Sequence, residues 1–183
     1  DDLNTVHVWD WRQERLLSTV EGQKGVPPAV WGVQWAAAGG AVASEQQLQV
    51  AGGGASPACL VSYGARHIKL WGSKDGRGKT ESWSVKVLRF GESGAADVLG
   101  VAVLPSGVLV SGAPDGKLLV WRGGEVVARL RAHGHECRVV TLARGGRQLL
   151  SGGGDGRVLV WGVAALEGVG QPAAETVAET DRK

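Results

Sequence analysis

The sequence predicts an all-β protein built from repeated units of short strands, and two matching hairpins carry most of this prediction. Residues 149–161 (LLSGGGDGRVLVW) indicate a strand, a tight turn and a second strand that ends on Trp161. Residues 108–121 (VLVSGAPDGKLLVW) repeat the pattern and end on Trp121. Both hairpins are rich in Val and Leu, which favour strands.

The two hairpins also agree in register. The Asp-Gly pairs at 115–116 and 155–156 supply a residue that tolerates positive φ, as a tight turn requires. A serine lies ten residues before the closing tryptophan in both hairpins, as Ser111 and Ser151, and the aspartate lies six residues before it. Agreement at three positions indicates an internal repeat, and a repeat determines the architecture.

The closing tryptophans extend the repeat along the chain. They stand at positions 9, 71, 121 and 161, so the shortest spacing is 40 residues and the longer ones carry insertions. Units of this length with four short strands are typical of β-propeller blades. We therefore predict a partial ring of about three complete four-stranded blades plus part of another.

The repeat divides the chain into five segments. The blade at 21–90 is expected to carry a low-complexity insertion at 36–57 and a basic loop at 72–82, and the tail has no strand pattern, so we interpret it as a frayed end or a weak helix. The segments are the last strands of a preceding blade at 1–20, blades at 21–90, 91–131 and 132–162, and a tail at 163–183.

Composition adds two expectations. The 183 residues contain no Met, not even at position 1, so we expect a piece of a longer polypeptide that supplies the remaining blades. Cys59 and Cys137 are too few for a disulfide scaffold and are interpreted as small buried thiols in a reducing compartment. The most apolar window, 98–114, is interrupted by Pro and Gly, so no membrane span is predicted.

The hairpins and their spacing resemble the WD-repeat propellers over nearly all of residues 3–162. In that family a network of His, Ser or Thr, Asp and Trp joins the inner strands. Choosing His133 over His135 places Val140 and Leu142 at the inward apolar positions of the family. The resemblance assigns the network of the last unit to His133, Ser151, Asp155 and Trp161.

The earlier units match this network only in part. The 108–121 unit has Gly94 where the His would stand. The 58–71 unit keeps only Trp71, because Ser62 lies nine residues before it rather than ten. The matching residues of the 108–121 unit are Ser111, Asp115 and Trp121.

A narrower resemblance concerns two short stretches, DDLNTVHVWDW at 1–11 and SYGARHIKLW at 62–71. They look like segments of the echinoderm microtubule-associated-protein-like family, which consists of cytoskeletal propeller proteins. That likeness implies tubulin, microtubules or other axonemal proteins as partners. The family's basic amino-terminal microtubule-binding region has no counterpart in the chain, so direct tubulin binding is not carried over.

Charge singles out one further segment. Residues 66–89 hold seven basic and two acidic residues, whereas the whole chain has a formal net charge of +2. The segment is either an ordinary solvated loop or a contact for an acidic partner. The candidate contact residues are Arg66, Lys69, Lys74, Arg77 and Lys79.

Other chemical motifs fail on spacing. GRGKT at 76–80 resembles a phosphate-binding loop, but Ser73 stands where the motif requires its first glycine, and a strand follows where a helix is needed. His133, His135 and Cys137 alternate, yet no second cluster completes a zinc site. No nucleophile elbow or carboxylate pair indicates catalysis, so we predict no enzyme activity, metal or cofactor.

These observations predict a non-catalytic protein-interaction scaffold of the cytoskeleton, associated with microtubules or an axoneme. The expected location is the cytoplasm and cytoskeleton, including the cilium or flagellum. The expected partners are proteins and the rest of a longer propeller chain, with no nucleic acid and no membrane. The alternative is a WD-repeat adaptor in another assembly, such as a ubiquitin-ligase substrate receptor or a trafficking complex.

Overall fold

The computed structural model describes residues 5–20, 29–36, 59–73, 83–91 and 94–170. These ranges contain thirteen strands and one short helix. The first two sheets contain β1 (Val6–Asp10), β2 (Arg15–Val20), β3 (Val30–Ala36), β4 (Cys59–Gly64), β5 (His67–Ser73) and β6 (Trp83–Val87). The remaining elements are β7 (Gly100–Val103), β8 (Leu109–Gly112), β9 (Lys117–Arg122), β10 (Glu125–Arg131), β11 (Cys137–Leu142), β12 (Gln148–Gly153), β13 (Val158–Gly162) and α1 (Val163–Gly168).

The strands form four antiparallel sheets in which chain neighbours pair with each other. Their orders are β1-β2, β3-β4-β5-β6, β7-β8-β9-β10 and β11-β12-β13. This up-and-down order of short strands is the architecture of propeller blades. The prediction of an all-β fold with a partial ring of blades is confirmed.

Three apolar clusters lie between successive sheets. One joins β1 to Trp71, a second joins the β3–β6 sheet to the β7–β10 sheet, and a third joins β7–β10 to β11–β13. In the second cluster the rings of Phe90 and Trp121 meet edge to face, with centroids 4.9 Å apart. The sheets are therefore stacked face to face, as blades are around a propeller axis.

The turns of the two predicted hairpins have the expected glycine geometry. Gly116 and Gly156 have φ values of +77° and +74°. At Gly116 a Cβ atom would lie 2.3 Å from the carbonyl oxygen of His133. Glycine is therefore required at this turn for its backbone angle and for its lack of a side chain.

The two long insertions leave the β3–β6 sheet at the same end. The segment between Ala36 and Cys59 joins β3 to β4, and the segment between Ser73 and Trp83 joins β5 to β6. Most of insertion 36–57 and of loop 72–82 lies outside the described residues. Within the described ranges no helix is long and apolar enough to cross a bilayer, since α1 has six residues.

One face of the last sheet is exposed where the equivalent faces are buried. Val158 and Val160 are 70% and 59% exposed. Their register equivalents in the preceding sheet, Leu118 and Val120, pair with β8 in the same way and are both 0% exposed, against the third cluster. Because both pairs are branched apolar residues, the difference lies in the neighbouring sheet: the β7–β10 sheet packs against β11–β13, whereas the described residues place no sheet against Val158 and Val160.

The first complete sheet is exposed on its opposite face. Val33 pairs with Ser62, just as Val101 pairs with Ser111 and Val140 with Ser151. Val101 and Val140 are buried, but Val33 is exposed together with the neighbouring tryptophans of β3. Only two strands of the preceding sheet lie among the described residues, and they leave this part of the face uncovered.

A matched pair of truncations tests the stacking. We expect Val120→Ala to lower the free energy of unfolding by about 2 kcal/mol, because two buried methyl groups are lost and a cavity remains. Val160→Ala, at the equivalent exposed position, should change it by less than about 0.5 kcal/mol. Urea denaturation of both variants provides the measurement, and equal losses would contradict the arrangement of the sheets.

Candidate functional site

A serine–tryptophan hydrogen bond recurs in three sheets. In each sheet the indole Nε1–H of the closing tryptophan donates to a serine hydroxyl on the adjacent strand, and the serine is buried. The pairs are Trp71 to Ser62 at 2.8 Å, Trp121 to Ser111 at 2.9 Å and Trp161 to Ser151 at 2.9 Å.

The contact of Ser62 corrects the prediction that the first of these units keeps only Trp71. Gly64 pairs with His67 across a two-residue turn, in which Arg66 has a φ of +55°. This turn is one residue shorter than the Asp-Gly turns, so the spacing along the chain falls from ten to nine. Leu60 still pairs with Trp71, which keeps the serine opposite the indole.

In the last sheet the bond extends into a four-residue network. The Nε2 atom of His133 lies 2.9 Å from the hydroxyl of Ser151, and its Nδ1 lies 3.0 Å from Oδ1 of Asp155. Asp155 also accepts the backbone N–H groups of Gly134 and Arg157 at 3.1 Å each. The four residues assigned by the family resemblance are thus linked in a chain of hydrogen bonds, Asp155–His133–Ser151–Trp161.

An ionised Asp155 can only accept hydrogen bonds, so the hydrogen between the two residues lies on Nδ1 of His133. Burial acts to raise the pKa of Asp155, but the hydrogen bonds from Gly134, Arg157 and His133 outweigh it and hold the pKa below its usual value. The network therefore contains a carboxylate whose ionised form is stabilised by these hydrogen bonds.

The equivalent aspartate of the preceding sheet lies outside such a network. Asp115 accepts the Lys117 backbone N–H at 3.2 Å, and its other oxygen lies 2.6 Å from Nζ of Lys117. Gly94, which stands in place of the histidine, is exposed and has a φ of +71°. Only Ser111 and Trp121 of the three residues predicted for this unit are brought together.

The two thiols are not activated. Burial raises the pKa of Cys137 to about 11, and the charge of Asp155 acts in the same direction. Burial also raises the pKa of Cys59. Both cysteines are free, and the described ranges contain no group of three or more His, Cys, Asp or Glu side chains that could hold a metal ion.

Of the five residues in the predicted basic contact, only Arg66 and Lys69 lie within the described ranges. Arg66 is exposed in the turn before β5, whereas Lys74, Arg77 and Lys79 lie outside the described residues and follow the other end of that strand. Seven residues of strand separate the two ends by about 23 Å.

Lys69, a candidate contact residue in the sequence, is buried and does not lie on an accessible surface. Lys69 occupies the interior position held by Leu119 in the next sheet and is 6% exposed, with its ammonium 5.8 Å from the Trp71 ring centroid.

Sequence reasoning did not identify His67 as a buried polar residue. It is the first residue of β5 and follows the turn that contains Arg66. The ring is 4% exposed, and its Nε2 has no hydrogen-bond partner among the described residues. Burial lowers the pKa of His67, and the charge of Lys69 adds to this effect, while the hydrogen bond to the Ala65 carbonyl opposes it. The neutral ring is therefore the form that fits the folded chain.

Comparison with known families matches one region of this structure. Residues 124–162 match the WD40 family, described as WD domain, G-beta repeat. The match contains β10 and the three strands of the last sheet, so the sequence repeat starts one strand before the structural sheet. It includes the complete His133 network.

Longer relatives match a larger part of the chain. Cilia- and flagella-associated protein 44 of Mus musculus is 24% identical over 170 residues, which is 89% of this chain and 8% of that protein. The protein of the same name from Trypanosoma brucei brucei is 29% identical over 132 residues, or 59% of this chain and 7% of the relative. Pre-rRNA-processing protein IPI3 of Mycosarcoma maydis is 38% identical over 69 residues, which is 36% of this chain and 12% of that protein. The chain thus spans only a small part of each relative.

A double-mutant cycle tests the corrected role of Ser62. We expect Ser62→Ala to destabilise the fold by about 1–3 kcal/mol, because the buried indole N–H of Trp71 loses its acceptor. Trp71→Phe removes the donor, so adding Ser62→Ala to it should cost much less than in the wild type. Denaturation of the four proteins gives the coupling energy, and additive effects would exclude the hydrogen bond.

The buried histidine predicts an acid-sensitive fold. Because folding lowers the pKa of His67, the unfolded chain takes up the proton first, and stability should fall as the pH decreases below the ordinary value of 6.5. His67→Leu should flatten the pH dependence of unfolding between about pH 6.5 and pH 5, above the range in which carboxylates titrate. An unchanged pH profile in this variant would show that His67 is not the sensitive group.

Proposed function

We propose that the chain is a segment of a WD-repeat propeller that serves as a non-catalytic interaction scaffold in the axoneme of a cilium or flagellum. The observation that carries the scaffold role is the exposed apolar face formed by Val139, Val158 and Val160. Exposed apolar patches of this kind are typical of surfaces that join another folded unit. In this proposal, a further blade of the longer polypeptide packs against the face formed by Val139, Val158 and Val160.

The axonemal assignment is supported by the two relatives named cilia- and flagella-associated protein 44, from organisms as different as a mouse and a trypanosome. The mouse match extends along most of the described sheets and is not restricted to one repeat. The His133 network is also consistent with a scaffold. Both ring nitrogens of His133 are engaged within the fold, Nδ1 with Asp155 and Nε2 with Ser151.

Fractionation of ciliated cells tests this assignment. An epitope-tagged full-length protein should stay with axonemes after detergent removes the membrane, because a scaffold is held by protein contacts. A tagged soluble protein and a tagged tubulin serve as the two reference points. Complete release into the detergent-soluble fraction, or absence from isolated cilia, would contradict an axonemal role.

A second candidate is a WD-repeat adaptor in another assembly, such as a ubiquitin-ligase substrate receptor or a trafficking complex. The similarity to a pre-rRNA-processing protein favours this alternative, since a related repeat occurs in a protein whose name is not ciliary. The same fractionation separates the two candidates, because an adaptor of this kind would leave cilia with the soluble proteins.

We further propose microtubules as the acidic partner of the loop between β5 and β6. The resemblance of residues 1–11 and 62–71 to a microtubule-associated family supports this partner, and the loop carries Lys74, Arg77 and Lys79. The described strands on either side bring the loop to the same end of the sheet as insertion 36–57. A contact at this end would not include Arg66, which lies at the other end of β5.

This separation provides a matched control for charge reversal. Each exposed ion pair contributes about 0.2–1 kcal/mol, so Lys74→Glu, Arg77→Glu and Lys79→Glu together should weaken co-sedimentation of the full-length protein with microtubules roughly tenfold. Arg66→Glu should leave it unchanged. The difference should shrink at high salt, since the Debye length falls from about 10 Å at 0.1 M to about 3 Å at 1 M.

Equal binding by the triple variant and the wild type at all salt concentrations would exclude the loop as the contact. Equal losses in the triple variant and in Arg66→Glu would instead indicate a general charge effect. Circular dichroism of each variant establishes that the sheets are intact before binding is compared.

A further inference from the structure

The outer edge of the last sheet has no paired strand among the described residues. In the two four-stranded sheets, the strand that ends on the closing tryptophan is covered by an outer strand, β6 on β5 and β10 on β9. β13 is the equivalent strand, since Leu149 pairs with Trp161 as Leu109 pairs with Trp121. Within the ranges that the structure describes, its paired neighbour is β12 alone. The other edge of β13 therefore presents a row of backbone N–H and C=O groups.

The residues of β13 lack the features that protect an exposed edge. Proteins usually place charged residues, prolines or bulges on a free edge, because these disfavour pairing with another strand. The three outer strands carry such charges, among them Arg15 in β2, Lys86 in β6 and Arg129 in β10. β13 reads VLVWG, with no charge and no proline, and its pairing with β12 is continuous. Its composition is therefore that of a strand paired on both edges.

The described chain that follows β13 is held away from this edge. Helix α1 follows β13 directly. At the end of α1, the guanidinium of Arg122 in β9 donates to the carbonyl oxygen of Glu167 at 2.5 Å. A Cβ atom on Gly170 would lie 2.9 Å from Cβ of Val127 in β10. Residues 163–170 therefore run towards the preceding sheet and do not pair with β13.

The last sheet is basic, whereas the chain as a whole is nearly neutral. Residues 137–162 contain four arginines and one acidic residue, Asp155, a formal charge of +3 against +2 for the whole chain. Asp155 is engaged by His133 and by two backbone N–H groups. Within the described ranges only one of the four arginines forms an ion pair, Arg138 with Glu136. The three others are exposed, namely Arg144, Arg147 and Arg157.

Two of these arginines lie at opposite ends of the open edge. Arg157 directly precedes β13, and the carbonyl of Arg147 accepts the N–H of Val163 just after it. In the preceding sheet the position of Arg157 is held by Lys117, which pairs with Arg131 of the outer strand. A strand on β13 in the same register places its last residue opposite Arg157 and its first residue at the end where Arg147 lies. Acidic residues are favoured at both positions, because opposite charges stabilise a cross-strand pair.

We propose that the open edge of β13 binds an extended, acidic segment of a partner protein, which pairs as the fourth, antiparallel strand of the last sheet. In strand addition of this kind, backbone hydrogen bonds provide affinity and side chains at alternate positions provide specificity. The bound segment carries acidic residues near Arg157 and Arg147 and uncharged residues between them. The edge is distinct from the face formed by Val139, Val158 and Val160, so a further blade on that face leaves the edge accessible.

Peptide binding to the full chain tests the proposal. The probe is a peptide with blocked ends, EVVAQLE, which keeps the apolar pattern of β10 and places a glutamate opposite Arg157. Its matched control, EVVAQLR, differs only in this last charge. We expect an NMR titration to shift the backbone amides of residues 157–162, with EVVAQLE binding about tenfold more tightly than EVVAQLR.

N-methylated forms of the probe test whether the peptide pairs through its backbone. Successive N–H groups of a strand point to opposite edges, so only one of two alternating methylation patterns faces β13. One form is methylated at the fourth and sixth residues and the other at the fifth and seventh. We expect one form to bind about tenfold more weakly than the other. Equal effects of the two patterns would overturn the proposal.

Two matched variants of the chain test the position of the charge. Arg157→Gln should remove most of the preference for EVVAQLE. Lys117→Gln, at the equivalent position of a sheet whose edge β10 already covers, should preserve it. Equal binding of the two peptides by the wild type would overturn the proposal. Binding that appears only after truncation at Gly170 would assign the edge to the chain's own C-terminal residues, and protection of residues 158–162 that disappears on dilution would assign it to a second copy. Either result would also overturn the proposal.

Discussion

The rest of the structure depends on one hydrogen bond, from the indole N–H of a closing tryptophan to a buried serine on the adjacent strand. It is present as Trp71 to Ser62, Trp121 to Ser111 and Trp161 to Ser151. A buried indole N–H without an acceptor would cost about 1–3 kcal/mol, so the bond selects the strand register in which the serine faces the ring. The tryptophan then lies on the side that faces the preceding sheet, against β1 for Trp71 and against Phe90 for Trp121.

Because each sheet uses the same side for this bond, the sheets stack in one direction and the two ends of the stack differ. The face after the last sheet presents valines, while the face before the first complete sheet presents Val33 with Trp31 and Trp35. The His133 network links β11, β12 and β13 of the last sheet; its hydrogen bonds hold the pKa of Asp155 below its usual value, and burial raises the pKa of Cys137.

Much of this fold could be predicted from the sequence. The apolar strands and the Asp-Gly turns are local signals, and the closing tryptophans recur along the chain and so mark the repeated units. The contact of Ser62 could not, since its spacing changes with the length of the turn while the pairing of Leu60 with Trp71 stays the same. Lys69 was a candidate partner contact because it belongs to the basic segment, although its strand position is an interior one. Asp115 matched the motif, but without a histidine its carboxylate contacts Lys117 instead. The net charge of residues 66–89 also gives no information on position, because strand β5 separates Arg66 from the basic residues that follow Ser73.

Hydrogen exchange of the tryptophan indole groups, followed by two-dimensional NMR, tests the central role of the serine–tryptophan bond most directly. The indole N–H groups of Trp71, Trp121 and Trp161 should exchange slowly, with Trp121 the slowest because it is 1% exposed. The exposed reference groups are Trp9, Trp11, Trp31 and Trp35. Ser111→Ala should accelerate exchange at Trp121 and leave Trp71 and Trp161 protected. Uniformly fast exchange of all these groups, or an unchanged Trp121 in the Ser111→Ala variant, would contradict the account.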